Sequence, residues 1–303
     1  MRQLADALKR AGYEGKNRSP SMDGVFGSSG WRLRMNKHFL GEFPDAEPIG
    51  HKGASLAERR PIYRVAASNG ANVVVKYVPN NVNGRREAIF TRRYAGSVAP
   101  EVYSLNQIPG DGIEIIMEAA SGSIQTPFDD QGSQLWAACE VALMLDEMHS
   151  NGDGHYDVKP DNVVCFDYGD SEGLGLIDFG FAATHKEVHK YVAKYKHNYH
   201  GTHGYKAPEF LLPELFDNPV APDVYSYGML VRALHEPTSK ELRSINSGEK
   251  LRVFGEDRLR KSILSVQGPV HPALQEVIAI CTEYNPRMRP DFGEVSGFLA
   301  QYV

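Results

Sequence analysis

Cysteine is scarce in this 303-residue chain: it has three, Cys139, Cys165 and Cys281, far apart and at no spacing that suits a zinc site. That excludes a disulfide framework and implies reduced thiols in a cytosol-like compartment. Long apolar runs are also missing. Stretches such as IEIIM at 113–117 fall far short of the ~20 residues needed to cross a bilayer, so no membrane span is expected. Nor is there an excess of positive charge. Lys and Arg number 33 against 38 Asp and Glu, a net charge of -5, which argues against nucleic acid as the partner. The opening MRQLADALKRAGYEG lacks a secretory apolar core and reads as a short amphipathic helix. No internal repeat is evident.

What is present is an ordinary globular composition, 42% hydrophobic and 23% charged, with length for one large domain or two lobes. Residues 1–45 form an extension. Leu4, Ala7, Leu8 and Ala11 recur at helical spacing, and a Gly/Ser/Asn/Pro-rich linker covers about 14–30. This extension reads as a docking arm, a targeting segment or a flexible tail. From 46 to 119 the pattern is strand-like. PIYRVAASNGANVVVKYV holds two β-rich runs around Asn69-Gly70, a hairpin signal because both residues tolerate positive φ. RREAIF then reads as a helix, and VYSL and GIEIIMEAA as strands. From 120 to 303 the chain turns helical, with candidates at 135–149, 223–236 and 273–284. An α+β fold follows, a small β-rich lobe before a larger helical one.

The chemistry concentrates in HYDVKPDNVV at 155–164 and LIDFG at 176–180. Asp157 is a base that can position or deprotonate a hydroxyl. Lys159 is a cation able to neutralise a transferred phosphoryl group. Asn162 and Asp178 offer hard oxygen ligands suited to Mg²⁺. A base, a cation and two metal-ligand oxygens are what phosphoryl transfer needs, because positioning and charge neutralisation dominate that reaction. Any one of these residues alone reads as a solvated loop residue; the set does not.

On these motifs the chain resembles the eukaryotic-type protein kinases, over about 46–300. VVVK at 73–76, HYDVKPDN, DFG at 178–180 and APE at 207–209 occur in the family's order. The resemblance implies a bilobal fold with ATP held between the lobes, and ATP and Mg²⁺ as cofactors. Lys76 would be the nucleotide-aligning lysine and Glu87 its partner, with a surface pairing of Glu87 to Arg85 or Arg86 as the alternative. Met117 would be the gatekeeper, Glu118 and Ala120 would present backbone to adenine, and Val74 and Val164 would sandwich the ring. Thr202, in GTHGYKAPE at 201–209, would bridge Asp157 and Lys159. With Lys159 it implies Ser/Thr specificity on a protein substrate, because small-molecule kinases do not usually carry this platform. Asp223 would support the catalytic loop and Arg289 would pair with Glu209.

Two features depart from the pattern. The phosphate-covering stretch, IGHKGASLAERRPIYRV, keeps Gly50 and Gly53 as its only glycines, so backbone has fewer places to close over phosphate. Lys52 either compensates with charge or points to solvent. This leaves a catalytically weak or silent scaffold as the alternative function. Tyr156 stands where many kinases have a phosphate-gripping arginine, which implies that activity does not require loop phosphorylation through that contact. The segment FAATHKEVHKYVAKYKHNYHGT is rich in Lys and His. It reads either as a solvated basic loop or as an attractor of an acidic substrate. The expected location is the cytoplasm, or a host cytosol if a pathogen delivers the protein.

Overall fold

The computed structural model describes residues 39–40, 46–49, 61–66, 72–108, 112–124, 128, 130–169, 171–195, 201–245 and 248–303. Two compact units emerge, Met1–Ala120 and Ser121–Val303. The first contains strands β1 (Glu47–Pro48), β2 (Ile62–Ala66), β3 (Asn72–Pro79), β4 (Val102–Ile108) and β5 (Gly112–Glu118), with helix α1 (Val82–Arg93) between β3 and β4. The strands pair antiparallel in the order β1-β2-β3-β5-β4. Ala66 pairs with Asn72, as the hairpin expectation requires; its turn, Asn69-Gly70, lies outside the described residues.

Strand period decides what each side of this sheet does, because successive side chains point to opposite faces. Along β3, Val73, Val75 and Tyr77 join Tyr63, Ile116 and Phe39 in one core cluster. Val74 and Val78 instead pack with Ala88 of α1, Val102, Ile115 and Met117. Lys76 shares the parity of Val74 and Val78, so it emerges on the face that α1 covers. Phe39 comes from the stretch read as an extension, yet it is fully buried and stacks on Tyr63 with ring centroids 4.4 Å apart. The ordered core of this unit therefore draws on residues before 46.

In the second unit β6 (Gly122–Ser123) precedes the long helix α2 (Gln131–Ser150), which Asp130 caps by accepting from the Ser133 N–H. Then come β7 (Asp153–Gly154), β8 (Val163–Asp167), β9 (Glu172–Leu176), β10 (Ala183–Thr184), α3 (His185–Tyr195), α4 (Pro208–Leu211), α5 (Ala221–His235), α6 (Lys240–Ile245), α7 (Gly248–Leu264), α8 (Pro272–Cys281) and α9 (Phe292–Leu299). Strands β6, β8 and β9 form one small sheet, and β7 pairs with β10. Residues 221–234 of α5 are all buried, which makes it the axis of the unit. Among the described residues no helix is long and apolar enough to cross a membrane.

Part of the basic segment after the DFG motif is helical, and residues 196–200 lie outside the described residues. Residues 185–195 form a helix whose Val188 and Val192 are buried while Lys186, His189 and Lys190 are exposed. Valines four apart share one helical face, and the run of basic residues around them masks that period.

Arg289 ties the end of this unit to α4. Its guanidinium donates to both carboxylate oxygens of Glu209, at 2.6 and 3.0 Å, and to the Ala221 and Glu283 carbonyls. Both side chains of the pair are fully buried. Removing one partner of such a pair strands the other charge, so Arg289→Met is expected to destabilise the protein by about 3–5 kcal/mol. Urea denaturation followed by tryptophan fluorescence reads this. A loss below about 1 kcal/mol would contradict the burial assigned to the pair.

Candidate active site

The loop that carries Asp157 is shaped from below by one carboxylate. Asp223, in the first turn of α5, is fully buried and accepts the backbone N–H of His155 on Oδ2 and that of Tyr156 on Oδ1, both at 2.7 Å. Tyr156 has φ 59°, in the left-handed region, which costs a bulky residue about 1–3 kcal/mol. Two hydrogen bonds to a charged acceptor, each worth about 1.5–3 kcal/mol, offset that cost. His155 braces the same turn: its ring contacts the Ile177 carbonyl at 3.1 Å, and its Nδ1 accepts the Asp157 N–H at 3.3 Å.

Asp157 itself is held by three side chains. Thr202 donates its hydroxyl to Oδ1 at 2.8 Å, and Lys159 donates to Oδ2 at 2.7 Å and to Thr202 Oγ1 at 2.6 Å. Asn162 donates from Nδ2 to the Asp157 carbonyl at 2.8 Å and to Oδ2 at 3.1 Å. An ionised carboxylate has about four acceptor sites, and these side chains occupy three. The geometry therefore holds Asp157 rigid and leaves capacity for one more donor, such as a substrate hydroxyl. The turn that brings Asn162 back is set by Pro160, which opens a 3-10 turn at Pro160–Asn162.

Because Asn162 spends its amide nitrogen on Asp157, its oxygen is the atom left to meet a cation. Asn162 and Asp178 flank the same open end of the β8–β9 hairpin: Val163 pairs with Leu176, and the Ile177 N–H donates to the Asn162 carbonyl at 2.9 Å. Asp178 has φ 66° and ψ 56°, a left-handed conformation that Asp tolerates better than most residues. Phe179 behind it is fully buried beside the His155 ring, with centroids 5.1 Å apart. Two hard oxygens suit Mg²⁺, which normally completes its shell with phosphate and water. No group of three or more His, Cys, Asp or Glu among the described residues forms a metal cluster.

Tyr156 occupies an apolar site. It clusters with Ala183, Val188 and Val192 of α3, and Phe210, with Phe181 and Phe216 packed against them. Its hydroxyl donates to the Pro219 carbonyl at 3.0 Å. The ring crosses Gly154 so closely that a Cβ there would lie 2.5 Å from Tyr156 Cζ; this position needs glycine. Sequence reasoning sees that tyrosine cannot grip phosphate, but not that it anchors a helix instead.

In the first unit Lys76 Nζ forms an ion pair with Glu87 Oε1, and both side chains are mostly buried. Glu87 is buried and reaches Lys76, while Arg85 donates to Asn80 Oδ1 at 2.6 Å. Met117 and Val74 lie in the core cluster beneath α1. The Glu118 N–H is bound to the Glu101 carbonyl, and the Ala120 carbonyl accepts from Arg64 Nη2 at 2.9 Å. Of these backbone groups, two are taken by protein. The Arg64 contact had no signal in the sequence. Val164 is buried in the second unit, on β8. Gly50, Gly53 and Lys52 lie outside the described residues, as do Lys196, His197 and Tyr199.

Comparison with known proteins follows the same line. The protein kinase domain model matches residues 113–297, leaving out the glycine-poor stretch and most of the first sheet. Mitogen-activated protein kinase kinase kinase 8 of Rattus norvegicus is 26% identical over 188 residues, 60% of this chain and 38% of that protein. The calcium and calcium/calmodulin-dependent serine/threonine-protein kinase of Oryza sativa subsp. japonica is 28% identical over 174 residues, 51% of this chain and 32% of the relative. Ribosomal protein S6 kinase alpha-2 of Homo sapiens is 25% identical over 206 residues, 65% and 26% respectively. The chain spans well under half the length of these relatives. With the ordered motifs, the α+β fold and a family match over more than half its residues, the chain belongs to the protein kinase domain family.

Proposed function

We propose that this chain transfers the γ-phosphoryl group of ATP to serine or threonine hydroxyls of a protein substrate. The observation that carries the reading is the knot of Asp157, Lys159, Thr202 and Asn162. Bound ATP supplies the transferable group, and Mg²⁺ neutralises charge on its phosphates. Asp157 accepts the substrate hydroxyl at its remaining acceptor site and orients it for attack. Lys159 offers positive charge to the phosphoryl being transferred, and Thr202 keeps Lys159 and Asp157 in register. Asn162 and Asp178 hold the metal through oxygen. Lys76, steadied by Glu87, binds the nucleotide's phosphates.

Lys186, His189 and Lys190 form an exposed basic patch on α3, which supports an acidic protein as substrate or partner by charge complementarity. The three thiols support a reducing compartment, cytoplasmic or host-cytosolic. Burial pushes the Cys139, Cys165 and Cys281 thiols above their ordinary value, so they stay protonated and unreactive.

The competing reading, a silent scaffold, rests on the shortage of glycine around Gly50 and Gly53. Two measurements separate them. Mg-ATP is expected to raise the melting temperature, as any ligand of the folded state must. With radiolabelled ATP and generic protein substrates, label should appear on serine or threonine and fall by at least about 100-fold in Asp157→Ala. Label found only on tyrosine or on a small metabolite, or equal labelling by the variant, rejects the proposal.

The apolar seat of Tyr156 gives a second expectation. Phosphatase treatment should leave activity within about twofold, because packing does the work a phosphate-arginine pair does elsewhere. Tyr156→Arg would bury a guanidinium among Ala183, Val188 and Phe210. It should loosen α3, raising proteolytic cleavage within 185–195 by about tenfold or more. Loss of activity on phosphatase treatment, or unchanged cleavage in the variant, would contradict this account.

A further inference from the structure

Arg64 puts a cation where the sheet is otherwise apolar. Its neighbours along β2, Tyr63 and Val65, pack into the cluster around Phe39, so strand period turns Arg64 to the opposite face. There it lies directly across from Val74 of β3, which lies directly across from Met117 of β5. Opposed residues of an antiparallel pair set their side chains next to each other on one face. Arg64, Val74 and Met117 therefore form one row across the sheet, and a parallel row carries Ile62, Lys76 and Ile115. Val74 and Met117 are the apolar residues that the kinase reading sets against the nucleobase. The third member of their row is charged.

The direction of the guanidinium is informative. Glu47 pairs with Arg64 from β1 and is exposed. The guanidinium turns instead to the end of β5, where Nη2 donates to the Ala120 carbonyl at 2.9 Å. Nε is buried and has no hydrogen-bond partner. These two nitrogens share one edge of the planar guanidinium, a fork suited to two acceptors next to each other. One arm is met by the chain's own backbone and the other by nothing. A buried donor without an acceptor is costly, and nearly all such groups in folded proteins are met by protein, water or ligand.

We propose that Arg64 is a specificity-determining residue of the nucleotide site: its Nε–H receives a neutral acceptor of the nucleoside, either a ring nitrogen of the base or an oxygen of the sugar. This rests on the kinase reading above, which sets the nucleoside against Val74 and the backbone of Ala120. The Ala120 carbonyl holds the fork in place, so the second donor is aimed before the ligand arrives and little side-chain freedom is lost on binding. The phosphates belong to Lys76, in the parallel row. Ala120 follows the Val73–Glu118 pair, on the side of Val74 away from Lys76, so the fork reaches toward the nucleoside end. Affinity drawn from that end also offsets the shortage of glycine in IGHKGASLAERRPIYRV, where backbone has fewer places to close over phosphate.

Titration calorimetry on the full chain tests this without reference to catalysis. Arg64→Leu puts an apolar side chain next to Val74, and Arg64→Lys keeps the charge and the aliphatic stem but loses the fork. Both variants should bind Mg-ATP and adenosine about tenfold or more weakly, the worth of one hydrogen bond from a charged donor. Both should bind inorganic tripolyphosphate, with Mg²⁺, within about twofold of wild type. Free adenine separates the two acceptors: a parallel loss for adenine identifies the base, and a loss for adenosine alone identifies the sugar. Arg64→Lys binding ATP as wild type does would reduce the effect to charge and overturn the proposal. Equal or tighter binding by Arg64→Leu also overturns it, since the guanidinium would then obstruct the site. A matching loss for tripolyphosphate moves the contact to phosphate and overturns it too. A wild type that binds neither ATP nor adenosine rejects the nucleotide site and this proposal together. Nucleotide binding without phosphoryl transfer sinks only the kinase reading.

Discussion

The structure of the second unit depends on one buried carboxylate. Asp223 takes the N–H groups of His155 and Tyr156 at 2.7 Å each, and this grip allows a tyrosine to hold a left-handed conformation. Without it the turn before Asp157 would relax toward ordinary φ, and the carboxylate that meets Lys159, Thr202 and Asn162 would swing away. Asp223 touches none of the reacting groups proposed here. It sits upstream of them all, and it is also where α5, α2 and the start of α3 connect through His149 and His185.

Anchoring of α3 shows how one substitution changes a mechanism of support. An arginine before the catalytic aspartate needs a phosphate to neutralise it. Tyr156 needs a greasy seat and one acceptor, and it finds both in Val188, Val192, Phe210 and the Pro219 carbonyl. The helix supplies its own apolar face, and Gly154 makes room for the ring. Val188 and Val192 are thus held by hydrophobic burial, which ionic screening does not weaken as it weakens a surface ion pair.

Much of this was legible in the sequence, for physical reasons that vary by residue. The Lys76–Glu87 contact was anticipated only through the family resemblance of VVVK and the RREAIF helix, since spacing alone also allowed Glu87 to meet Arg85 or Arg86. Asp157, Lys159 and Asn162 could be singled out because they share one short loop, where their side chains do meet; Asp178 was singled out by the DFG motif. The helix at 185–195 was not, since interleaved lysines and histidines hide its two buried valines. Nor was Phe39, whose place beside Tyr63 depends on tertiary packing. The His149–His185 contact joins residues 36 apart with no periodicity to announce it. Arg64 meeting Ala120 is equally silent, because a side-chain bond to a distant carbonyl leaves no pattern in composition.

The central claim is that Asp223 sets the geometry in which Asp157 works. Asp223→Asn keeps size and shape but turns an amide N–H₂ toward donors that need an acceptor. The rate of phosphoryl transfer by this variant, measured with its circular dichroism and Mg-ATP binding, is the most direct test. The account predicts a fall of about 100-fold or more in turnover with nucleotide binding retained. Turnover equal to wild type would contradict it.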